Sequence, residues 1–130
     1  MQAEIITIGD ELLIGQTIDT NSAYLGQQLG SIGISIARKT AVSDKESAIL
    51  SAVAESFSRV DLVIMTGGLG PTKDDITKKT LCQYYQCGYR RDEAVLAHLE
   101  ALFASRGRLM LETNQVQADL PALCETLHNA

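Results

Sequence analysis

The run Thr66, Gly67, Gly68, Leu69, Gly70, Pro71, Thr72, Lys73, Asp74, Asp75, Ile76, Thr77 follows directly on the apolar segment Leu62 to Met65. It constrains the fold more than any other part of the chain. An apolar strand that empties into a glycine-rich turn and then a helix start is one half of a strand-loop-helix unit. Glycine at 67, 68 and 70 allows positive φ and removes the side chains that would hold a ligand away from the backbone. Amides at such a turn face the first turn of a helix, a ready site for an anion such as phosphate. Asp74 and Asp75 complicate this, because bare carboxylates repel phosphate unless a divalent cation lies between them. The residues therefore allow two readings: a metal-bridged phosphate or pyrophosphate ligand, or a tight turn in which the two aspartates complement the helix dipole.

The rest of the chain alternates strand and helix. Glu4 to Ile8 is a short apolar strand. Thr20 to Ile32 carries Leu25, Leu29 and Ile32 at helical spacing, with Gly33 placed to stop it. Ile34, Ile36, Arg38, Thr40 and Val42 recur with period two, which predicts a half-polar edge strand. Ser43 and Glu46 form a capping-box pair ahead of the stripe Ile49, Ala52, Val53 and Phe57. Asp61 to Thr66 is the third strand. Helices follow from about Asp74 to Tyr85 and from about Asp92 to Arg106, the latter with a stripe of Val95, Leu99, Leu102 and Phe103 and a stop at Gly107. Repetition at roughly 30 residues per unit implies right-handed crossovers and a largely parallel sheet covered by helices, with strand order 2, 1, 3.

In such sheets the ligand lies beyond the carboxyl ends of the strands. That rim gathers three loops: Gly9 to Thr20, Val42 to Lys45, and the glycine loop. Each brings carboxylates, Asp10 with Glu11, then Asp44, then Asp74 with Asp75. Taken singly, Asp10 could end a strand and Asp44 could favour the first turn of its helix. Taken together they suit a hard cation with oxygen ligands, able to polarise a P–O bond and position a water.

Composition limits the function classes. With 130 residues, 45% of them hydrophobic, the chain suits one globular domain, 1–130, and no run reaches the roughly 20 apolar residues of a membrane span. A net charge of −5 with 11 Lys and Arg offers no basic patch for nucleic acid. The start, Met1 to Ile8, has no export signal, so the expected compartment is the cytoplasm. Cys82, Cys87 and Cys124 lack a CxxC pair or nearby histidines and read as reduced, mostly packed thiols.

The segments GDELLIGQTIDTN (Gly9 to Asn21), TGGLGPTKDDIT (Thr66 to Thr77) and RGRLMLETNQVQADLP (Arg106 to Pro121) resemble the N-terminal domain of the CinA, or competence/damage-inducible protein A, family. That domain is similar to the molybdopterin-binding proteins of molybdenum-cofactor biosynthesis, which usually carry threonine where Leu69 stands. The resemblance covers nearly the whole chain in order. It implies a three-layer α/β/α fold with a mixed, mostly parallel sheet and a pterin- or nucleotide-binding rim. It further implies metal-dependent cleavage of ADP-ribose to AMP and ribose 5-phosphate, or else non-catalytic holding of molybdopterin.

By the same resemblance Asp75 and Asp44 are the expected catalytic acids. Asp10, Glu11 and Asp75 are the expected ligands of a divalent metal cation. Thr66, Gly67, Gly68, Leu69, Gly70, Thr72 and Asp74, with Asn21, Asn114 and Gln117, would contact the nucleotide or pterin. For Asn114 and Gln117 helix capping and a local hydrogen-bond network is the other reading. CinA-like domains continue beyond the position of Asn129 into a GTAPG-like segment and a further strand. The expectation is therefore a domain incomplete at its C-terminal end, with an exposed edge beside the third strand that favours homo-oligomers.

Overall fold

The computed structural model describes residues 1–73 and 75–129. In chain order the elements are β1 (Gln2–Ile8), α1 (Asp10–Leu13), α2 (Thr20–Ser31), β2 (Ser35–Val42), α3 (Glu46–Phe57), β3 (Leu62–Thr66) and α4 (Thr77–Tyr84). They continue with β4 (Tyr89–Arg91), α5 (Glu93–Ser105), α6 (Glu112–Gln115), a 3₁₀ turn at Val116–Ala118, and β5 (Asp119–Pro121). β1, β2 and β3 form one parallel sheet in the order β2-β1-β3. The apolar composition of β1 explains its central place, since a strand covered on both faces reads as a continuous apolar run. Ala3 to Ile8 are all buried.

The two faces of β1 have different partners. Ile6 and Ile8 pack with Ile49 and Val53 of α3, and Val42, Val63, Met65, Ile76, Leu81 and Tyr84 close around them. Thr7, on the opposite face, donates to the Thr40 carbonyl (3.5 Å) and lies beside Asp19, the residue that caps α2. The result is the expected three-layer arrangement, with α3 and α4 on one side of the sheet and α2 on the other.

Helix ends follow local chemistry. Asp19 accepts from the Ser22 amide (3.0 Å) and the Ser22 hydroxyl (2.6 Å), and so opens α2. Gly33 and Gly107 stop α2 and α5, as their positions predict. In each case the amide one residue past the glycine donates back to the helix, Ile34 to the carbonyl of Leu29 (2.9 Å) and Arg108 to that of Phe103 (3.0 Å). α4 ends in the same motif with Gln86, at φ 52°, in the glycine's place.

Four local expectations are corrected. The Ser43–Glu46 capping box does not form. Lys45 occupies the cap of α3 without a side-chain bond, and Glu46 is already the first helical residue. The α4 helix begins at Thr77 rather than near Asp74: the Thr77 amide donates to the Gly68 carbonyl and the Asp75 amide to that of Thr72, as in a loop. The period-two face of β2 is broken by a register shift: Ala3 pairs with Ile36 but Glu4 pairs with Arg38, leaving Ala37 as an extra residue. Ile36 accordingly lies against Gly26 of α2, whereas Arg38, Thr40 and Val42 line a cavity with α3. Finally, β4 and β5 pair antiparallel in a separate two-stranded sheet that the sequence pattern did not indicate. Of the thiols, Cys82 is buried, Cys87 half-buried and Cys124 exposed. No helix among the described residues is long and apolar enough to cross a membrane.

Candidate functional site

The three strands are parallel, so their carboxyl ends share one rim. The Gly9 amide donates to the Val42 carbonyl (3.0 Å), tying the first loop to the end of β2. On the other side Gly67, at φ 93°, lies so close to β1 that an added Cβ would run into the Ile8 carbonyl. Only glycine fits that approach. Gly68, at φ 63°, is similarly confined by the Thr77 hydroxyl. That hydroxyl donates to the Gly67 carbonyl (2.8 Å) while the Thr77 amide donates to Gly68 (3.2 Å). The glycines therefore serve packing first, and they place the loop against β1.

Asp75 organises the next segment. Its Oδ2 accepts from the Thr72 amide (3.1 Å) and the Thr72 hydroxyl (2.6 Å), and the Gly70 amide points to the same carboxylate. The Thr72 hydroxyl, with the amides of Thr72 and Gly70 and against the opposing effect of burial, holds this carboxyl below its ordinary value. The amides of Gly70 and Thr72, which the sequence offers to a phosphate, are thus turned to a carboxylate from the chain itself. Leu69 projects into solvent. Asp74 lies outside the described residues.

Two clefts open beside this loop. The first, of about 160 Å³, lies between the first loop and the end of β3 and is lined by Glu11, Asp19, Thr17, Thr20, Asn21 and Thr66 above Ile8 and Gly67. Burial pushes the Asp19 carboxyl up, but the bonds from Ser22 outweigh it and leave the group below its ordinary value. Glu11 curls back over Gly9, where an added Cβ would meet its carboxylate. The second cleft, of about 230 Å³, is bounded by Gly70, Thr72, Asp75, Lys78, Tyr89 and Asp119. Lys78 is the residue the sequence reading overlooked. Its Nζ donates to the carbonyls of Val116 and Asp119, both at 2.9 Å, and burial pushes its ammonium below its ordinary value. The available signal was a lysine at the second position of α4, where a helix start ordinarily favours acidic residues.

The structure thus brings Glu11, Asn21, Thr66 and Gly67 together in one cleft, and Gly70, Thr72 and Asp75 in the other. Asp10 is the exposed first residue of α1. Asp44 stands two residues beyond β2 at the same rim. Asn114 accepts from the Leu111 amide (3.2 Å) and so caps α6, while Gln117 lies in the 3₁₀ turn. Among the described residues, no three His, Cys, Asp or Glu side chains gather so as to hold a metal ion.

A family model described as a probable molybdopterin binding domain matches residues 4–126. The chain belongs to that family. Within this molybdopterin-binding-domain family the chain is similar to a CinA-like protein of Cytophaga hutchinsonii, with 54% identity over 98% of this chain and 30% of the relative. It is also similar to a putative competence-damage inducible protein of Lysinibacillus sphaericus, with 43% identity over 99% of this chain and 31% of the relative. The chain spans less than a third of the length of these curated relatives. Among solved structures, the protein CinA from Thermoplasma acidophilum superposes with a TM-score of 0.84 at 32% identity, over 98% of this chain and 75% of that one. The tungsten cofactor synthesizing protein MoaB from Pyrococcus furiosus gives 0.64 at 24% identity, covering 81% of this chain and 66% of its own, and shares the fold. The molybdopterin-binding-domain fold and its CinA branch are thereby shown.

Proposed function

We propose that the rim cleft takes a pyrophosphate-bearing nucleotide together with a divalent cation, and that this family member hydrolyses ADP-ribose to AMP and ribose 5-phosphate. The lining of the cleft carries the reading: the carboxylates of Glu11 and Asp19 stand among hydroxyls and one amide, with no Lys, Arg or His. A phosphate entering such a cleft requires a counter-charge that the side chains do not supply. A Mg²⁺-like ion fits the sparse donor set, because it is held by one or two carboxylates and completes its shell with water and substrate phosphate. Bound there, it would neutralise phosphate charge and polarise the P–O bond. Of the residues present, Glu11 is the proposed metal ligand; Asp10 and Asp44 belong to the same rim but do not line the cleft. Thr66 and Asn21 donate to phosphate or ribose oxygens. Asp75 is a positioning residue, since its carboxylate shapes the loop that sets Thr66 and Gly67.

Release of AMP from ADP-ribose with Mg²⁺, and its absence in EDTA, tests the reading. Binding of equal strength in EDTA would overturn it. Cation-dependent binding without release of AMP would leave the second reading, a non-catalytic holder of molybdopterin or a related nucleotide, which is favoured by the full commitment of Asp75 to Thr72. We also propose that copies of the chain associate, because Leu13, Ile14, Ile18 and Tyr24 are exposed near one another in sequence and β3 is an edge strand. Sedimentation equilibrium of the wild type beside an Ile14→Lys, Ile18→Lys variant checks this, and a monomeric wild type refutes it.

A further inference from the structure

The C-terminal turn of α4 brings two cysteines together. Tyr85 ends the helix, Gln86 follows in the left-handed region at φ 52°, and Cys87 comes next. The Cys87 amide donates to the Cys82 carbonyl (2.9 Å) and the Gln86 amide to Gln83 (3.2 Å). These are the two bonds of the Schellman motif, which frequently brings the side chains of its first and sixth residues together, and here the Cys87 thiol lies within reach of the Cys82 sulfur. In α2 and α5 the same pair of positions is filled by Leu29 with Ile34 and by Phe103 with Arg108. In α4 both positions are thiols. The Cys82 sulfur also donates to the Gly88 carbonyl (3.6 Å), which keeps it turned toward the strand that Cys87 leads into.

Access to the pair is one-sided. Cys82 is 6% exposed. Cys87 lines a cavity of about 350 Å³ together with Leu81, Tyr85, Pro121, Leu123 and Cys124. That cavity is open to a small disulfide while the buried thiol behind it is not.

We propose that Cys82 and Cys87 form a reversible intrachain disulfide, making the end of α4 a thiol-oxidation site. The Cys87 thiolate attacks one sulfur of a low-molecular-weight disulfide and expels one small thiolate. The Cys82 thiolate then attacks the Cys87 sulfur of the mixed disulfide and expels the second. The two cysteines give up two protons and two electrons, and the small disulfide becomes two thiols. Burial first, and then the Cys87 thiol, push Cys82 above the usual thiol range. Closure by Cys82 therefore speeds up as pH rises.

Glutathione disulfide is the probe. The full chain is equilibrated with it, alkylated with iodoacetamide in urea, and cut with trypsin after Lys79, Arg90 and Arg108. Residues 80–90 carry both Cys82 and Cys87, while Cys124 falls in a separate peptide. The expected peptide is two hydrogens lighter and takes no alkyl group, while the exposed Cys124 is recovered alkylated or as its glutathione mixed disulfide, without a cross-link to residues 80–90. Cys87→Ser, at a half-buried position, loses the closed form; Cys124→Ser keeps it. Residues 80–90 recovered with both thiols alkylated under excess oxidant would overturn the proposal. So would a cross-link from that peptide to Cys124, or closure as fast in the urea-denatured chain as in the folded one.

Discussion

Replacing Glu4 by glutamine takes a charge out of the middle of β1 while keeping the shape of the side chain. In the native chain this carboxylate is buried, yet it is fully engaged: Oε1 accepts from Arg59 Nε at 2.7 Å and Oε2 from Nη2 at 2.9 Å. Those two bonds, opposed by burial and reinforced by Ser56 and Arg38, lower the carboxyl from its ordinary value of 4.5 to about 2. At about 1.4 kcal/mol for each tenfold, that displacement sets an upper limit of about 3 kcal/mol. Arg59 keeps 33% of its side chain in water, so screening brings the expected value nearer about 2 kcal/mol. The amide retains one acceptor for Nε, but its NH₂ then faces the Nη2 donor, and one bond is lost. Glu4→Gln should therefore lower stability by about 2 kcal/mol at pH 7, or roughly 6 to 10 °C in Tm for a chain of this size. The sign of the pH dependence follows from the lowered carboxyl. The native contribution is complete above pH 4.5 and disappears as pH falls toward 2. Urea unfolding of both proteins across that range is the assay. The gap between them should close on acidification. A gap below about 0.5 kcal/mol at pH 7, or one that stays constant to pH 3, would refute the argument.

Gly67→Ala should destabilise the fold by about 1 to 3 kcal/mol, since its Cβ meets the backbone carbonyl of Ile8, which has no rotamer to escape into; equilibrium unfolding reads this, and a neutral change would refute the close approach. Gly68→Val should also lose stability, because it displaces the Thr77 hydroxyl from Gly67. Asp75→Asn keeps an acceptor for Thr72 but not the charge, so the expected result is a small fall in Tm with a larger loss of AMP release, and full activity would remove Asp75 from the site. Lys78→Met strands the Val116 and Asp119 carbonyls, and about 1 to 3 kcal/mol should be lost. Amide exchange in Tyr89–Arg91 should rise with it, and unchanged protection would show that Lys78 does not hold the small sheet.

The sheet was legible because its information is local. Apolar runs mark β1 and β3, and the glycines at 33 and 107 mark helix ends by a conformation that other residues adopt reluctantly. The small sheet was not legible. β4 and β5 are three residues each and lie 28 positions apart, too short for any period to register. The break in β2 was hidden for a related reason. Ala37 is an ordinary strand residue, and only its pairing partners reveal it as extra. At the rim, residue types announced a polar site, but the loop closure that turns Gly70 and Thr72 toward Asp75 depends on three-dimensional contact. By residue type Asp75 is an acid able to hold a ligand; in the structure its carboxylate holds its own loop through Thr72.

That distinction changes what the glycine loop contributes. An aspartate seated among loop amides already satisfies them, as a bound anion would, so the loop is shaped before any ligand arrives. The positions left for chemistry are those at which the loop meets β1. There Gly67 presses on Ile8, and Glu11, Asn21 and Thr66 border the same space. On its far side the loop runs into α4, whose Lys78 fastens the β4 and β5 pair, and Arg91 closes that pair through Asp119 at 2.7 Å. A single short helix start therefore joins the rim of the parallel sheet to the small sheet. On the proposed reading, changes at Asp75 or Lys78 act on the site through the position of this joint, and Glu11 is the residue whose change acts on it directly.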